Sequence, residues 1–177
     1  SIAHPHSQIL AIPAISPYIN LELSGAELYY KSNKHNVYGI MAEYEIETKR
    51  RVIFENEHCV AFCPFASRAA FEIWIIGKRA NPYFERITDE EKFAFAEALQ
   101  KALSAIYKGL NDPPYNFYIH TAPCDGKEYP HYQWHLEILP KPPTPWAGFE
   151  LSTGIEISTV PPETAAEYLR KQLSGEA

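Results

Sequence analysis

Apolar residues recur along this chain with two different periods, and the change from one to the other marks out its elements. After Thr88, the residues Phe95, Ala96, Leu99, Ala102, Leu103 and Ile106 return at helical spacing up to Gly109, the stripe of a helix that covers a core. Thr88-Asp89-Glu90-Glu91 opens it as a capping box, with acidic residues at the positive end of the helix dipole. Gly109 suits its C-terminal cap. Ser24-Gly25-Ala26-Glu27 has the same Ser-x-x-Glu form and predicts a helix over 26–34. Ile40, Met41, Tyr44 and Ile46 predict another over 37–47, and Pro161-Pro162-Glu163 starts a last one that ends near Leu173.

Between the helices the period drops to two. Segments 51–55, 59–64 and 71–77 read as strands, with Asn56-Glu57-His58 as a turn between the first two. Their close succession implies antiparallel hairpins rather than βαβ units. Segment 115–120 reads as the next strand. In 131–139, alternation puts His131, Gln133, His135 and Glu137 on one face and Tyr132, Trp134, Leu136 and Ile138 on the other. At the start of the chain His4, His6 and Gln8 share a face, with Pro5 and Ser7 opposite, in a strand that ends by about Ile15. After a Pro-rich connector over 141–145, Trp146 to Ile157 is expected to form a last extended element. The sum is an α+β domain: a strongly twisted antiparallel sheet with helices on one face and the histidine-bearing strands on the other.

At 177 residues and 46% hydrophobic content, the chain can bury one good core. No apolar run approaches a membrane span, and a net charge of −6 argues against a broad nucleic-acid-binding face. Three cysteines do not form a disulfide framework and point to a reducing, cytoplasmic setting. Cys59 and Cys63 read as small buried residues before they read as a metal pair. His120 and Glu22, taken alone, read as a structural histidine and a surface carboxylate. The two strand faces that collect histidines can serve phosphate, metal or structure.

HPHSQ at 4–8, followed by PYNFYIHTAP, HYQWHLEILP and GFELSTG, resembles the galactose-1-phosphate uridylyltransferase family of the histidine-triad superfamily, together with its ADP-sugar phosphorylase relatives. The resemblance covers nearly the whole chain and is to the C-terminal half of such an enzyme. It implies a half-barrel sheet in which residues 1–15 are the last strand of an upstream half and 16–177 form the second half. The implied reaction passes a nucleoside monophosphate between sugar 1-phosphates through a nucleotidyl-histidine. His6 is then the nucleophile, Gln8 a phosphate-holding amide, Ser1 a phosphate ligand and Glu150 a ligand of sugar hydroxyls. It further implies structural zinc or iron held by Glu22, His120, His135 and Glu137, with His4 as a further candidate ligand. Partners would be a nucleoside diphosphate sugar, a sugar 1-phosphate and a second copy of the chain. Some relatives carry a zinc-binding Cys-x-x-Cys where Asn36 and Gly39 stand, residues that supply no thiolate. Three other readings stay open: phosphorolysis by inorganic phosphate, a non-catalytic half that only binds or dimerises, and a plain metalloenzyme of His4, His6, His120 and Glu22, which leaves Gln8 unexplained.

Overall fold

A computed structural model describes residues 6–8, 13–141 and 148–175. The strands β1 (Val52–Glu55), β2 (Cys59–Phe62), β3 (Ile73–Gly77), β4 (Tyr115–His120) and β5 (His135–Pro140) form one sheet in the order β1-β2-β3-β5-β4. Every neighbouring pair is antiparallel, with a register irregularity between Val52 and Phe54. The α+β class and the antiparallel sheet agree with the sequence reading.

The helices are α1 (Pro17–Asn33), α2 (Val37–Thr48), α3 (Asp89–Gly109), α4 (Gly148–Thr153) and α5 (Pro162–Ser174). Helices α3 and α5 cover one face of the sheet, where Ala98, Ala102, Ala105, Ala165, Ala166 and Leu169 meet Ala61, Ile73, Ile75, Leu136 and Ile138. The alanines let helix backbones lie close to the sheet. Cys59 and Cys63 belong to this core, and burial pushes both thiols up, Cys59 to about 12. Helices on one face are thus present, while α1 and α2 add a second layer: Leu23, Ala26, Tyr38 and Ala42 pack with Val60, Phe62 and Ile76 of the opposite face. Arg51 ties these layers together, donating from Nε to Glu45 of α2 at 2.9 Å and from a terminal nitrogen to Glu163 of α5 at 2.7 Å.

Helix α3 begins as expected, with both bonds of the Thr88–Glu91 capping box formed. Gly109 serves close approach and not a left-handed cap: a Cβ there would lie 2.9 Å from Cε1 of Tyr168 in α5. Helix α1 begins earlier than Ser24. Ser16 is its N-cap, accepting from the Ile19 N–H at 3.2 Å, and Pro17 occupies the first turn, where a missing N–H does no harm. Ser24 and Glu27 fall inside the helix, and Glu27 pairs with Lys31 at 2.7 Å.

Three strand expectations are also corrected. Residues 131–134 do not belong to β5, because their polar groups bond other segments: the Tyr132 N–H turns back to the Tyr129 carbonyl at 3.0 Å, Trp134 N–H reaches the Asn81 carbonyl at 2.9 Å, and the Gln133 amide donates to the Gly77 carbonyl. The expected extended element before 157 instead contains α4, which ends where Gly154, at φ +70°, donates to the Glu150 carbonyl. Strand β3 starts two residues late. Phe71 is left-handed at φ +62°, and the turn it makes aims the Glu72 carboxylate back at the N–H groups of Arg68 (2.5 Å) and Ala69 (3.3 Å). No helix among the described residues is long and apolar enough to cross a membrane.

Candidate metal centre and the histidine motif

Strand β5 alternates as its sequence requires. Leu136 and Ile138 enter the α3/α5 core, while His135 and Glu137, both fully buried, face the opposite layer. The β4–β5 register pairs His120 directly with His135 and Tyr118 with Glu137, and β3 sets Trp74 opposite Glu137. Helix α1 supplies Glu22 from above. Ligand-type atoms of Glu22, His120 and His135 all lie within 4.8 Å of one another. Three of the four expected ligands, distant in sequence, therefore converge.

Each of the three is oriented by a further contact. His120 Nδ1 lies 3.1 and 3.2 Å from the two Glu22 oxygens, and Tyr132 donates its hydroxyl to Glu22 Oε2 at 2.7 Å. His135 Nδ1 sits 3.2 Å from the Gln133 carbonyl, so it carries the proton and leaves Nε2 with its lone pair. That Nε2 is buried, lacks a hydrogen-bond partner and lies 3.7 Å from Glu22 Oε1. The His135 ring is clamped between Trp74 (4.4 Å) and Tyr38 (5.4 Å), both near parallel to it. Burial alone would raise the Glu22 carboxyl, but the hydrogen bond with His120 and the nearby His135 ring outweigh it and bring it to about 2.

Glu137, the expected fourth ligand, is not part of the three-residue convergence. Its Oε2 accepts from Arg68 at 2.5 Å and its Oε1 from the Trp74 indole at 3.0 Å, while His120 Nε2 stands 3.6 Å from Oε2. Burial pushes its carboxyl up to about 7 against the opposing pull of His120 and Arg68. His131 sits apart, against the rings of Tyr30 and Tyr129, its pKa lowered by burial. Asn36 caps α2, accepting from the Tyr38 N–H at 2.9 Å and donating to the Tyr132 carbonyl at 3.2 Å.

Of the motif residues, His6 and Gln8 are exposed and outside regular secondary structure, whereas Ser1 and His4 lie outside the described residues. Glu150 belongs to α4, with its Oε2 buried and lacking a hydrogen-bond partner. Sequence reasoning missed Arg68, Glu72, Trp74 and Tyr132 as site residues. The alternation of Glu72 and Trp74 against Ile73 and Ile75 was a usable signal for two of them. Nothing in the pattern revealed Tyr132, which the turn at 129–132 moves out of the apolar face.

Residues 45–143 match the HIT domain family. The chain is 36% identical over 173 residues to an ADP-glucose phosphorylase of Arabidopsis thaliana, covering 97% of this chain and 48% of that protein. It is 31% identical over 179 residues to a galactose-1-phosphate uridylyltransferase of Thermotoga maritima, covering 97% and 55%. A solved uridylyltransferase structure matches with a TM-score of 0.91 at 29% identity, over 99% of this chain and 56% of that one. An Arabidopsis thaliana ADP-glucose phosphorylase with bound ADP-glucose matches at 0.82 and 34%, over 90% and 51%. The chain spans about half the length of the curated relatives it matches. Since the matched domain takes in the sheet and α3 in full, and the likeness to these relatives extends over nearly every residue, the chain belongs to the HIT-domain family.

Proposed function

We propose that this chain carries half of a nucleotidyltransferase that moves a nucleoside monophosphate between sugar 1-phosphates through a nucleotidyl-histidine. The observation that supports this reading is the presence of HPHSQ and the Glu22–His120–His135 cluster in one HIT-domain chain that is similar to such enzymes along nearly its whole length. A ring nitrogen of His6 attacks the α-phosphorus of a nucleoside diphosphate sugar, and a P–N bond forms as the P–O bond to the sugar 1-phosphate breaks. An acceptor phosphate oxygen then attacks the same phosphorus, and the histidine nitrogen leaves. Gln8 holds a non-bridging oxygen through its amide and transfers no proton, which suits a leaving group that departs as a stabilised anion. Ser1 holds the phosphates and Glu150 the sugar hydroxyls. A homodimer and a cytoplasmic setting belong to the same reading.

A divalent metal, zinc or iron, is proposed at Glu22, His120 and His135. The donors fit it, because a buried imidazole lone pair without a hydrogen-bond partner faces a carboxylate and a second imidazole. When bound, the metal supplies a structural cross-link between α1 and the β4–β5 pair.

A second reading, in which inorganic phosphate is the acceptor, is favoured by the higher identity to the ADP-glucose phosphorylase. The test is intact-mass measurement of the full-length polypeptide that carries these residues, incubated with UDP-glucose or with ADP-glucose. One added nucleotidyl mass, stable to base and labile to acid as a phosphoramidate is, is expected; His6→Gly abolishes it. An adduct that survives His6→Gly, or maps elsewhere, overturns the assignment. Release of the adduct by inorganic phosphate but not by a sugar 1-phosphate selects the second reading.

A further inference from the structure

We infer that Glu137 is a positioning residue for the metal, not a ligand of it, and that Arg68 holds it in that role. This rests on the proposed metal at Glu22, His120 and His135 and deepens it by dividing the buried polar cluster into groups that bind the ion and groups that aim them. The division follows from where each remote atom is tied. Glu22 offers Oε1, because Oε2 is taken by the Tyr132 hydroxyl at 2.7 Å. His135 offers Nε2, because Nδ1 is turned to the Gln133 carbonyl at 3.2 Å. His120 offers Nδ1, which faces Glu22 at 3.1 Å, and its Nε2 faces Glu137 Oε2 at 3.6 Å. The third relation is an ion-pair contact at 3.6 Å and not a hydrogen bond; with an ion on Nδ1 it would take the carboxylate–histidine–metal layout, in which an outer carboxylate fixes the tautomer and orientation of a ligating imidazole.

Arg68 makes the inner-sphere alternative unfavourable. The Glu137 oxygen nearest His120 is the one that accepts from the guanidinium at 2.5 Å, and the other oxygen accepts from Trp74. A guanidinium keeps its charge at any working pH. A metal bound to Glu137 would therefore displace that hydrogen bond or lie beside a fixed positive charge. Arg68 itself has little freedom: its backbone N–H bonds Glu72 at 2.5 Å, its guanidinium lies over the Tyr18 ring at 4.6 Å, and its Nε is 3.6 Å from Glu156. It is part of the packed structure and not a flexible arm passing over the site.

The experiment loads the purified chain with Co2+, whose visible absorption reports the number and kind of ligands, and follows metal content and affinity by titration. The unsubstituted chain is expected to bind one Co2+. Glu137→Gln, which keeps the side-chain shape, is expected to retain one Co2+ with an unchanged band shape and about 10–100-fold weaker affinity, the usual effect of losing an outer-shell partner. Arg68→Met is expected to weaken binding as well. The double variant is expected to be no weaker than the poorer single one, because Arg68 acts on the metal through Glu137. Glu22→Gln, a ligand change, is expected to alter the band shape and lose stoichiometric binding. Loss of the metal and of the band in Glu137→Gln, to the extent seen in Glu22→Gln, would show that Glu137 is a ligand and overturn the inference. Additive losses in the double variant would overturn the role of Arg68. Failure of the unsubstituted chain to bind Co2+ at all would instead remove the metal reading, and the inference with it, before any variant is made.

Discussion

The two faces of β5 are made by adjacent residues of one strand and obey different rules. Leu136 and Ile138 lie against α3 and α5 in a dry layer of aliphatic side chains and alanines, where stability comes from area removed from water and from close packing. His135 and Glu137 lie equally deep on the other side, among Glu22, His120, Trp74 and Arg68, where every polar atom needs a partner and two buried nitrogens, His135 Nε2 and Arg68 Nε, make no hydrogen bond. Burial is the same on both faces, so it does not distinguish structure from function here. What distinguishes them is whether the protein alone satisfies the chemistry of the buried groups.

Adjacent substitutions break this comparison most directly. Leu136→Ala is expected to cost about 2–5 kcal/mol in denaturant unfolding, because α3 and α5 close the space above it only in part. The loss is expected to be the same with and without a chelator. The polar face is expected to respond the other way round if it binds the proposed metal: zinc at a hundred times its dissociation constant is expected to raise stability by about 2.7 kcal/mol. His135→Ala removes that increment. If zinc stabilises His135→Ala as much as the unsubstituted chain, the contrast between the faces is lost.

The smallest expected effect belongs to the margin of the dry face. Thr88→Ala, which removes the N-cap of α3, is expected to cost about 1 kcal/mol. Its partner Glu91 gives this cap an acid limit. The hydrogen bond from Arg79, and to a lesser degree the Thr88 N–H, hold the Glu91 carboxyl below its ordinary 4.5 despite partial burial. The folded state thus binds its proton less readily than the unfolded state does, so the contribution is complete above about 4.5 and fades as pH falls below it. Glu91→Gln is expected to flatten that acid limb of the stability curve and leave the neutral range lowered.

The dry face was the legible one. A helix that must cover a sheet needs a periodic stripe and a cap, and α3 shows both in its sequence, as β5 shows its alternation. The start of α1 was misread because two serines stand at plausible spacing, and what selects Ser16 is Pro17 directly after it, which cannot sit inside a helix. Residues 131–134 continue the alternation of β5 but leave the sheet, since their bonding partners at Gly77, Asn81 and Tyr129 are set by the tertiary fold and not by period. At the candidate site, Glu22, His120 and His135 were named from resemblance, and convergence of three separate segments had no local signature. Arg68 was invisible for the same reason: its meaning lies in Glu137, 69 residues away.

The left-handed backbone at Phe71 bears on how this part of the sequence can change. A bulky residue in that conformation costs about 1–2 kcal/mol, and the two N–H bonds that Glu72 accepts from Arg68 and Ala69 offset it. Glu72 also receives the Trp74 indole at 2.8 Å, the same group that holds Glu137. One carboxylate is therefore shared between a strained turn and a buried charge cluster. Substitution histories should show the result: exchanges at 68, 72, 74 and 137 are expected to arrive together among relatives of this chain, while Phe71 drifts toward glycine or asparagine only where Glu72 has already gone.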